Sequence, residues 1–232
     1  MQKEILENIA HYFDHSLVKA DAKEEEVLRF CQEARDYGFA SVIVNSSYGE
    51  LCTKELKDSN VHVGLTIGYP LGAATTAIKI FEVNECVKLG ADELDVVMNI
   101  GKFLDKKYNE VVDDLKEVVE AFKKFGDEKI VKVIIETSII GNDKIDQAIE
   151  CVIDAGADFV KNSSGYANYG TTIEDITEME RAAGDRIQVK ASGGIRSLED
   201  AHKYIELGVT RIGGTGGVNI TKEAKKMLEN IN

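Results

Sequence analysis

One junction recurs four times along this chain: an amphipathic helical pattern ends at a glycine, and a short apolar strand begins within a few residues. The four glycines are Gly38, Gly90, Gly156 and Gly208. Glycine commonly closes a helix because it adopts the left-handed backbone conformation without strain. The junctions have no fixed period, so the repeated unit is a helix followed by a strand and not a solenoid module. Strands that alternate with helices predict right-handed crossovers and a parallel sheet.

Apolar runs predict eight strands, and a helical pattern follows each of them. The predicted strands are Tyr12–Asp14, Ser41–Val44, His62–Ile67, Glu93–Asn99, Lys129–Ile135, Phe159–Lys161, Gln188–Ala191 and Arg211–Gly213. After a short N-terminal helix, the predicted helices are Lys23–Asp36, Tyr48–Leu56, Thr75–Leu89, Tyr108–Phe125, Asn142–Ala155, Thr172–Ala183, Ser197–Leu207 and Thr221–Glu229. Eight such units predict an α/β fold, a (β/α)₈ TIM barrel that forms a single domain over 1–232. A doubly wound open sheet is the alternative, although such sheets usually have about five or six strands.

Composition argues against several classes of partner. The chain has 28 basic and 41 acidic residues, a net charge of −13, and no basic stripe, so nucleic acid and anionic membranes are poor partners. The four cysteines are far apart without a C-x-x-C pair, and the four histidines lack ligand spacing. We therefore expect free thiols, no metal and no cofactor. No stretch is apolar enough for a signal region or a membrane span, so we expect a soluble cytoplasmic protein.

Two lysines stand out because each ends a short apolar strand. Lys161 follows Phe159–Val160 and opens a loop rich in serine and glycine, and Lys190 ends a second strand before another run of small residues. Lysine is rarely buried, so Lys161 taken alone is equally compatible with a side chain that reaches the surface. Two ammonium groups at the same edge of neighbouring strands repel each other, and dry surroundings favour loss of a proton from one of them. A neutral amine beside a cation attacks carbonyl groups, which predicts Schiff-base chemistry.

Other polar residues also occupy the carboxyl ends of the predicted strands, where barrel enzymes carry their active sites. They are Asp14, Asn45, Asp95, Asn99 and Glu136. Because side chains alternate along a strand, Asp95 shares a face with Val97, and Lys132 shares one with Glu136. We expect these polar faces to line the barrel lumen. Asp95 is the predicted proton shuttle, or else a partner that only offsets lysine charge. Lys132 and Glu136 are expected to complete an ion network, and Asp14 to orient a substrate hydroxyl or cap the following loop.

Two glycine runs predict a phosphate site. Gly193–Gly194 precedes a helix that opens with a variant of the capping box, Ser197-Leu-Glu-Asp200, and Gly213–Gly217 follows the last strand. Glycine lets backbone N–H groups approach an anion, and the loops after strands 7 and 8 are the usual phosphate seat of this fold. Either run alone is also compatible with a tight turn. The residues predicted to bind the substrate or its phosphate are Asp14, Ser164, Gly165, Gly193, Gly194, Gly214 and Thr215, with Tyr166 and Tyr169 near the pocket mouth.

Six motifs, in order along nearly the whole chain, resemble the 2-deoxyribose-5-phosphate aldolase family. They are Asp14–Lys19, Gly68–Gly72, Gly90–Gly101, Lys132–Thr137, Gly156–Lys161 and Val189–Arg196. The resemblance implies a (β/α)₈ class I aldolase that needs no metal and forms a homodimer. It implies that Lys161 forms the Schiff base with acetaldehyde, and that Lys190 perturbs Lys161 and shares proton transfer with Asp95. The enamine would then add to glyceraldehyde 3-phosphate, or the reverse reaction would cleave 2-deoxyribose 5-phosphate, so the implied partners are a phosphorylated sugar and an aldehyde.

The chain departs from the family pattern in two loops. The family usually has Lys-Thr-Ser-Thr-Gly where this chain has Lys161-Asn-Ser-Ser-Gly165, and Gly-Thr-Ser-Ser where this chain has Gly213-Gly-Thr-Gly216. The second loop therefore offers fewer hydroxyl groups to a phosphate. One alternative function is a related Schiff-base aldolase that acts on a different phosphorylated or hydroxylated carbonyl compound. Another is a non-catalytic barrel that binds sugar phosphates without a covalent step.

Overall fold

The computed structural model describes residues 2–231, and within them eight parallel strands close into a barrel. Each strand pairs with the next in chain order, and β1 pairs with β8. The strands are β1 Phe13–Leu17, β2 Ser41–Asn45, β3 His62–Ile67, β4 Glu93–Val97, β5 Ile130–Ile134, β6 Phe159–Lys161, β7 Gln188–Ser192 and β8 Arg211–Gly214. The predicted TIM barrel is confirmed, and the open-sheet alternative is wrong. The prediction of one domain over 1–232 also takes in residues 1 and 232, which lie outside the described residues.

Helices surround the barrel between successive strands. They are α1 Lys3–Asn8, α2 Glu24–Tyr37, α3 Gly49–Leu56, α4 Thr76–Lys88, α5 Ile100–Leu104, α6 Tyr108–Lys123, α7 Thr137–Ile140, α8 Ile145–Asp154, α9 Ile173–Ala183, α10 Leu198–Leu207 and α11 Gly217–Ile231. Gly38 closes α2 with φ at +72°, and its N–H donates to the carbonyl of Ala34 at 2.9 Å. The other junction glycines, Gly90, Gly156 and Gly208, also have positive φ angles, which glycine adopts without strain. Among residues 2–231, no helix is long and apolar enough to cross a bilayer.

Three helices differ from the predicted pattern. The short helices α5 and α7 lie inside the β4 and β5 loops, and no prediction included them. α5 begins where the Asn99 side chain accepts the N–H of Lys102 at 3.1 Å, which caps the helix. A helix of five residues is too short to show an apolar period, so the sequence pattern did not predict it. α11 begins at Gly217, four residues before its predicted start. The prediction started late because glycine, which opens this helix, has a low helix propensity.

The strands separate an apolar layer from a charged lumen. Val96 and Val133 are fully buried in the hydrophobic core, whereas Asp95 and Lys132, one residue earlier in each strand, meet inside the barrel. Alternation along a strand produces this division because successive side chains point to opposite faces. The lumen therefore concentrates charged side chains, which come from β1, β4, β5, β6, β7 and β8.

Candidate active site

Lys161 and Lys190 converge on a single carboxylate. Lys161 ends β6 and Lys190 lies in the middle of β7, and the two are direct neighbours in the strand register. The Nζ of Lys161 donates to Oδ2 of Asp95 at 2.7 Å, and the Nζ of Lys190 donates to the same oxygen at 2.8 Å. The structure thus brings together the three residues that the sequence predicts to be catalytic, on the lumen face that strand alternation predicts.

A network of ion pairs continues below this triad. Lys132 contacts Oδ1 of Asp95 at 3.1 Å, Oδ2 of Asp14 at 3.1 Å and the carboxylate of Glu93. Lys190 also lies 2.6 Å from Asp14. Arg211 pairs with Asp14 at 2.7 Å and with Glu93 at 3.4 Å. Among residues 2–231, the cluster joined by these contacts holds four lysine or arginine side chains and three carboxylates, so full ionisation would leave one positive charge in excess.

The electrostatics of the network differ from residue to residue. Burial opposes the ionised form of Asp95, but Lys132, Lys161 and Lys190 outweigh it and hold the Asp95 pKa well below its usual value. Burial lowers the pKa of Lys190 to about 8, although Asp14 and Asp95 act in the opposite direction. Because this pKa lies near neutral pH, Lys190 is the lumen lysine that can both release and accept a proton under ordinary conditions.

Exposure separates Lys161 from the other lumen lysines. Lys161 is 4% exposed, whereas Lys132 and Lys190 are 0% exposed. A carbonyl compound that enters from the carboxyl ends of the strands therefore reaches the Lys161 amine first. The position fits a nucleophile, and the two sealed lysines fit supporting roles.

The loop that follows Lys161 is held by two residues from other strands. The carboxylate of Glu136 accepts the N–H of Ser164 at 3.0 Å, and the hydroxyl of Tyr69 donates to the carbonyl of Ser164 at 2.6 Å. Burial raises the pKa of Tyr69, so this hydroxyl stays protonated and able to donate. The expectation that Glu136 completes the lysine ion network is wrong. β5 ends at Ile134, and Glu136 takes the left-handed conformation with φ at +55°, so strand alternation no longer sets its direction.

A cavity of about 500 Å³ lies at the mouth of the barrel. Its lining comes from the β1, β6 and β8 loops and includes Leu17, Ser164, Gly165, Tyr166 and Thr215. The hydroxyl of Tyr166 donates to the carbonyl of Val18 at 3.1 Å, which joins the β6 and β1 loops. Three of the residues expected near the substrate thus share one cavity, together with Tyr166; Tyr169 is exposed and does not line it.

The predicted anion loops differ in how much of their backbone is free. At the start of α10, the N–H of Leu198 donates to Glu223 at 2.9 Å, and the N–H of Asp200 donates to the Ser197 hydroxyl at 3.1 Å. α11 begins at Gly217, two residues after Thr215 on the cavity wall. The β8 loop and the start of α11 therefore suit an anion better than the capped start of α10. The remaining predicted loop glycines, Gly193, Gly194 and Gly214, all have positive φ angles, as tight anion-binding turns require.

Asp14 lies deeper than the sequence suggested. Its carboxylate is 0% exposed, and it accepts a hydrogen bond from the Ser41 hydroxyl at 2.7 Å in addition to its ion pairs. The side chain belongs to the lumen network instead of capping the following loop, and its contact with a substrate hydroxyl stays a prediction. Asn45 and Asn99 also hold loops, because Asn45 donates to the carbonyl of Val18 at 3.2 Å and Asn99 caps α5.

Sequence reasoning missed several members of the site. Glu93 and Arg211 lie two residues before Asp95 and Gly213, so strand alternation would have placed them in the lumen. Gly213 leaves room for the Lys190 side chain in the lumen, since a Cβ at position 213 would lie 2.9 Å from Cε of Lys190. Tyr69 has no such signal, because it follows β3 and reaches a residue 95 positions away.

Comparison with known proteins agrees with this geometry. A profile of the DeoC/LacD family aldolases matches residues 9–221. The deoxyribose-phosphate aldolase of Caldanaerobacter subterraneus subsp. tengcongensis is 46% identical, with 97% of each chain covered. That of Carboxydothermus hydrogenoformans is 46% identical over 91% of this chain and 93% of its own. The tetrameric deoxyribose phosphate aldolase of Aeropyrum pernix superposes with a TM-score of 0.87 at 30% identity, over 96% of this chain and 93% of its own. The chain therefore belongs to the DeoC/LacD family of aldolases.

Proposed function

We propose that this enzyme is a class I aldolase that reversibly cleaves 2-deoxy-D-ribose 5-phosphate to acetaldehyde and D-glyceraldehyde 3-phosphate through a Schiff base on Lys161. The observation that carries the proposal is the pair of lysines on one oxygen of Asp95, of which Lys161 retains 4% exposure and Lys190 none. Relatives named deoxyribose-phosphate aldolase, similar over almost the whole chain, support the choice of substrate.

The proposed cleavage begins when the neutral amine of Lys161 attacks the aldehyde carbon of the open-chain sugar. Loss of water from the resulting carbinolamine gives a protonated imine, which withdraws electrons from the neighbouring carbon. The hydroxyl on the third carbon loses its proton, the bond between the second and third carbons breaks, and glyceraldehyde 3-phosphate leaves. The remaining enamine takes a proton at carbon, and water hydrolyses the imine to release acetaldehyde.

The network assigns different tasks to Asp95 and Lys190. Asp95 stays ionised because its pKa is lowered, so it stabilises the positive charge of the protonated imine. Lys190 has a pKa of about 8, so it takes and returns the protons that the carbinolamine and enamine steps require. This division supports the charge-offsetting alternative for Asp95 and gives most of the predicted proton transfer to Lys190.

The phosphate is proposed to bind at the mouth of the barrel, against Gly214, Thr215 and the start of α11, with the Gly193–Gly194 loop beside it. Ser164 and Gly165 form the opposite wall of the cavity. The Ser163 hydroxyl accepts the N–H of Gly165 at 3.0 Å, so that N–H is not free to bind the phosphate. Backbone N–H groups and the Thr215 hydroxyl are therefore the proposed phosphate ligands, in place of the hydroxyls that the family usually has.

The test is reduction of the enzyme with borohydride in the presence of acetaldehyde, followed by peptide mass mapping. We expect an ethyl adduct on Lys161 and none in Lys161→Leu. An adduct on another lysine, or none at all, would refute the mechanism. Assays with 2-deoxyribose 5-phosphate and other sugar phosphates test the substrate. Trapping on Lys161 without cleavage of 2-deoxyribose 5-phosphate would favour the alternative of a related Schiff-base aldolase.

We also propose a homodimer that acts in the cytoplasm. Leu71, Ile78 and Phe81 around the start of α4 are 72%, 53% and 63% exposed, and large apolar side chains at such exposure are common at subunit interfaces. Sedimentation equilibrium should give a dimer in the wild type and a monomer in Phe81→Asp. A tetramer, as in the Aeropyrum pernix relative, or a wild-type monomer would contradict the homodimer.

A further inference from the structure

Asn162, the residue after the proposed nucleophile, makes three polar contacts through its side chain. Its side chain is fully buried, and its Oδ1 accepts the N–H of Ser192 at 2.7 Å. Its Nδ2 lies 3.3 Å from both the carbonyl of Gly170 and the hydroxyl of Thr171. One amide group therefore contacts the end of β7 and the segment that leads into α9.

These contacts belong to a larger joint between two loops. The Thr171 hydroxyl donates to the carbonyl of Ser192 at 2.7 Å, and the Thr171 N–H donates to the carbonyl of Gly193 at 2.9 Å. A Cβ on Gly170 would lie only 2.5 Å from the Gly193 oxygen, so the two backbones are packed as closely as glycine allows. The Gly193–Gly194 loop is thus fixed, through Asn162, to the strand that carries Lys161.

The direction of the side chain excludes direct chemistry. Lys161 points into the lumen, where it meets Asp95. Asn162 comes next in the chain, and its contacts lie with Gly170, Thr171 and Ser192 instead of the lumen carboxylates. Asn162 is therefore a positioning residue, which acts through the loop and not on the reacting atoms.

We propose that, in this chain, Asn162 sets the distance between the Lys161 amine and the Gly193–Gly194 loop, and so contributes to the preference of the enzyme for a phosphorylated over an unphosphorylated sugar. The inference rests on the proposed function, because it takes Lys161 as the point of attachment for the carbonyl carbon. A substrate held at both ends needs both ends at a fixed separation, since a small misplacement costs rate steeply.

The side chain at this position matters chemically. Asparagine offers an acceptor and two donors, so it accepts from Ser192 while it donates to the Gly170–Thr171 segment. Threonine, the usual family residue here, offers its donor and its acceptor on a single oxygen, on a shorter side chain that does not span both loops as the amide does. Asn162→Thr should therefore loosen the Gly193 loop relative to the Lys161 strand while the backbone of β6 and the contacts of Thr171 remain in place.

The experiment compares Asn162→Thr with the wild type on 2-deoxyribose 5-phosphate and on 2-deoxyribose. We expect the KM for the phosphorylated sugar to rise about tenfold, a loss equivalent to one or two hydrogen bonds. We expect kcat/KM for 2-deoxyribose and the rate of acetaldehyde trapping on Lys161 to change less than about twofold by the same reasoning. The matched control is Asn168→Thr, on the same loop, where the amide has only an exposed contact to Ser138; it should leave both substrates unaffected.

Equal losses on both sugars, or no change on either, would overturn the inference. Thr171→Val provides a second route if Asn162→Thr does not fold, because it removes the hydroxyl that joins Asn162 to Ser192 and should show the same selective rise in KM. The two proposals fail separately. A wild type that neither traps acetaldehyde nor cleaves the sugar refutes the proposed function, whereas an active wild type with unselective variants refutes only the role of Asn162.

Discussion

Single side chains show how one lumen gives three lysines different tasks. Burial disfavours a charged Lys132, but Asp14, Asp95 and Glu93 outweigh it and raise its pKa, so it remains a fixed cation. Lys190 has fewer carboxylates beside it, and burial lowers its pKa to about 8. Lys161 alone is reached by solvent. Surroundings, and not residue type, therefore separate the fixed cation from the proposed proton carrier and the proposed nucleophile.

Lys190→Met tests this division at the residue scale. The variant removes the proposed proton carrier, whose pKa is about 8. We expect kcat to fall by about 10²–10⁴-fold, the usual range for loss of a general acid–base group. We also expect the variant to lose the step near pH 8 that titration of Lys190 gives the pH profile of the wild type. Both are measured by steady-state kinetics and borohydride trapping between pH 6 and about 10, a range that spans the usual pKa of lysine.

Lys203→Met is the control for this prediction, because Lys203 is exposed on α10 and pairs only with Glu199 and Asp200. It should leave the rate and the pH profile unchanged. A Lys190→Met enzyme with the same rate and pH profile as the wild type would remove Lys190 from the mechanism.

At the scale of elements, the short strand β6 depends on its neighbours to fix the loop that it opens. Three residues of β6 carry Lys161 to the lumen, and the following Ser164 is held through its N–H by Glu136 and through its carbonyl by Tyr69. These two side chains come from the ends of β5 and β3. Side chains from two other β/α units therefore hold Ser164 on the wall of the mouth cavity, which positions it more rigidly than the loop sequence alone allows.

Tyr69→Phe tests that support. The variant keeps the ring and removes the hydrogen bond to Ser164, so we expect the free energy of unfolding to fall by about 1 kcal/mol. We expect kcat/KM for 2-deoxyribose 5-phosphate to fall about threefold to tenfold as the loop loosens. Urea unfolding and steady-state kinetics measure the two effects. Tyr166→Phe is the matched comparison, because the Tyr166 side chain is half-exposed and its hydroxyl donates to the carbonyl of Val18 in the β1 loop, not to Ser164. A larger effect from Tyr166→Phe than from Tyr69→Phe would contradict the prediction.

For the molecule as a whole, the periodicity of the strands sets the limit of what the sequence predicts. The bounds of β3 and β6 match the prediction at both ends, and Lys161, Lys190 and Asp95 meet because alternation governs residues inside strands. Glu136 lies beyond the end of β5, where no alternation applies, and its predicted role is wrong. Tyr69 reaches Ser164 through a tertiary contact that no local pattern encodes. The site is thus predictable where it lies on strands and unpredictable where loops complete it.

The stability of the whole barrel carries a pH dependence away from the site, at Glu180 on α9. This carboxyl is half-buried near Gly208, its Oε1 has no hydrogen-bond partner among residues 2–231, and burial raises its pKa to about 7. Between about pH 4.5 and 7 the folded protein holds this proton while the unfolded chain releases it, so the free energy of unfolding falls as the pH rises through that window.

Glu180→Gln stays neutral throughout. We expect it to exceed the wild type by about 1–2 kcal/mol at pH 8, after allowance for the solvent that reaches a half-buried group, and to match it near pH 4.5. Urea unfolding at both pH values measures the difference, with Glu117→Gln on the exposed face of α6 as the control. The same gain at both pH values would show that the substitution acts through packing, because only an ionising carboxylate makes the gain depend on pH.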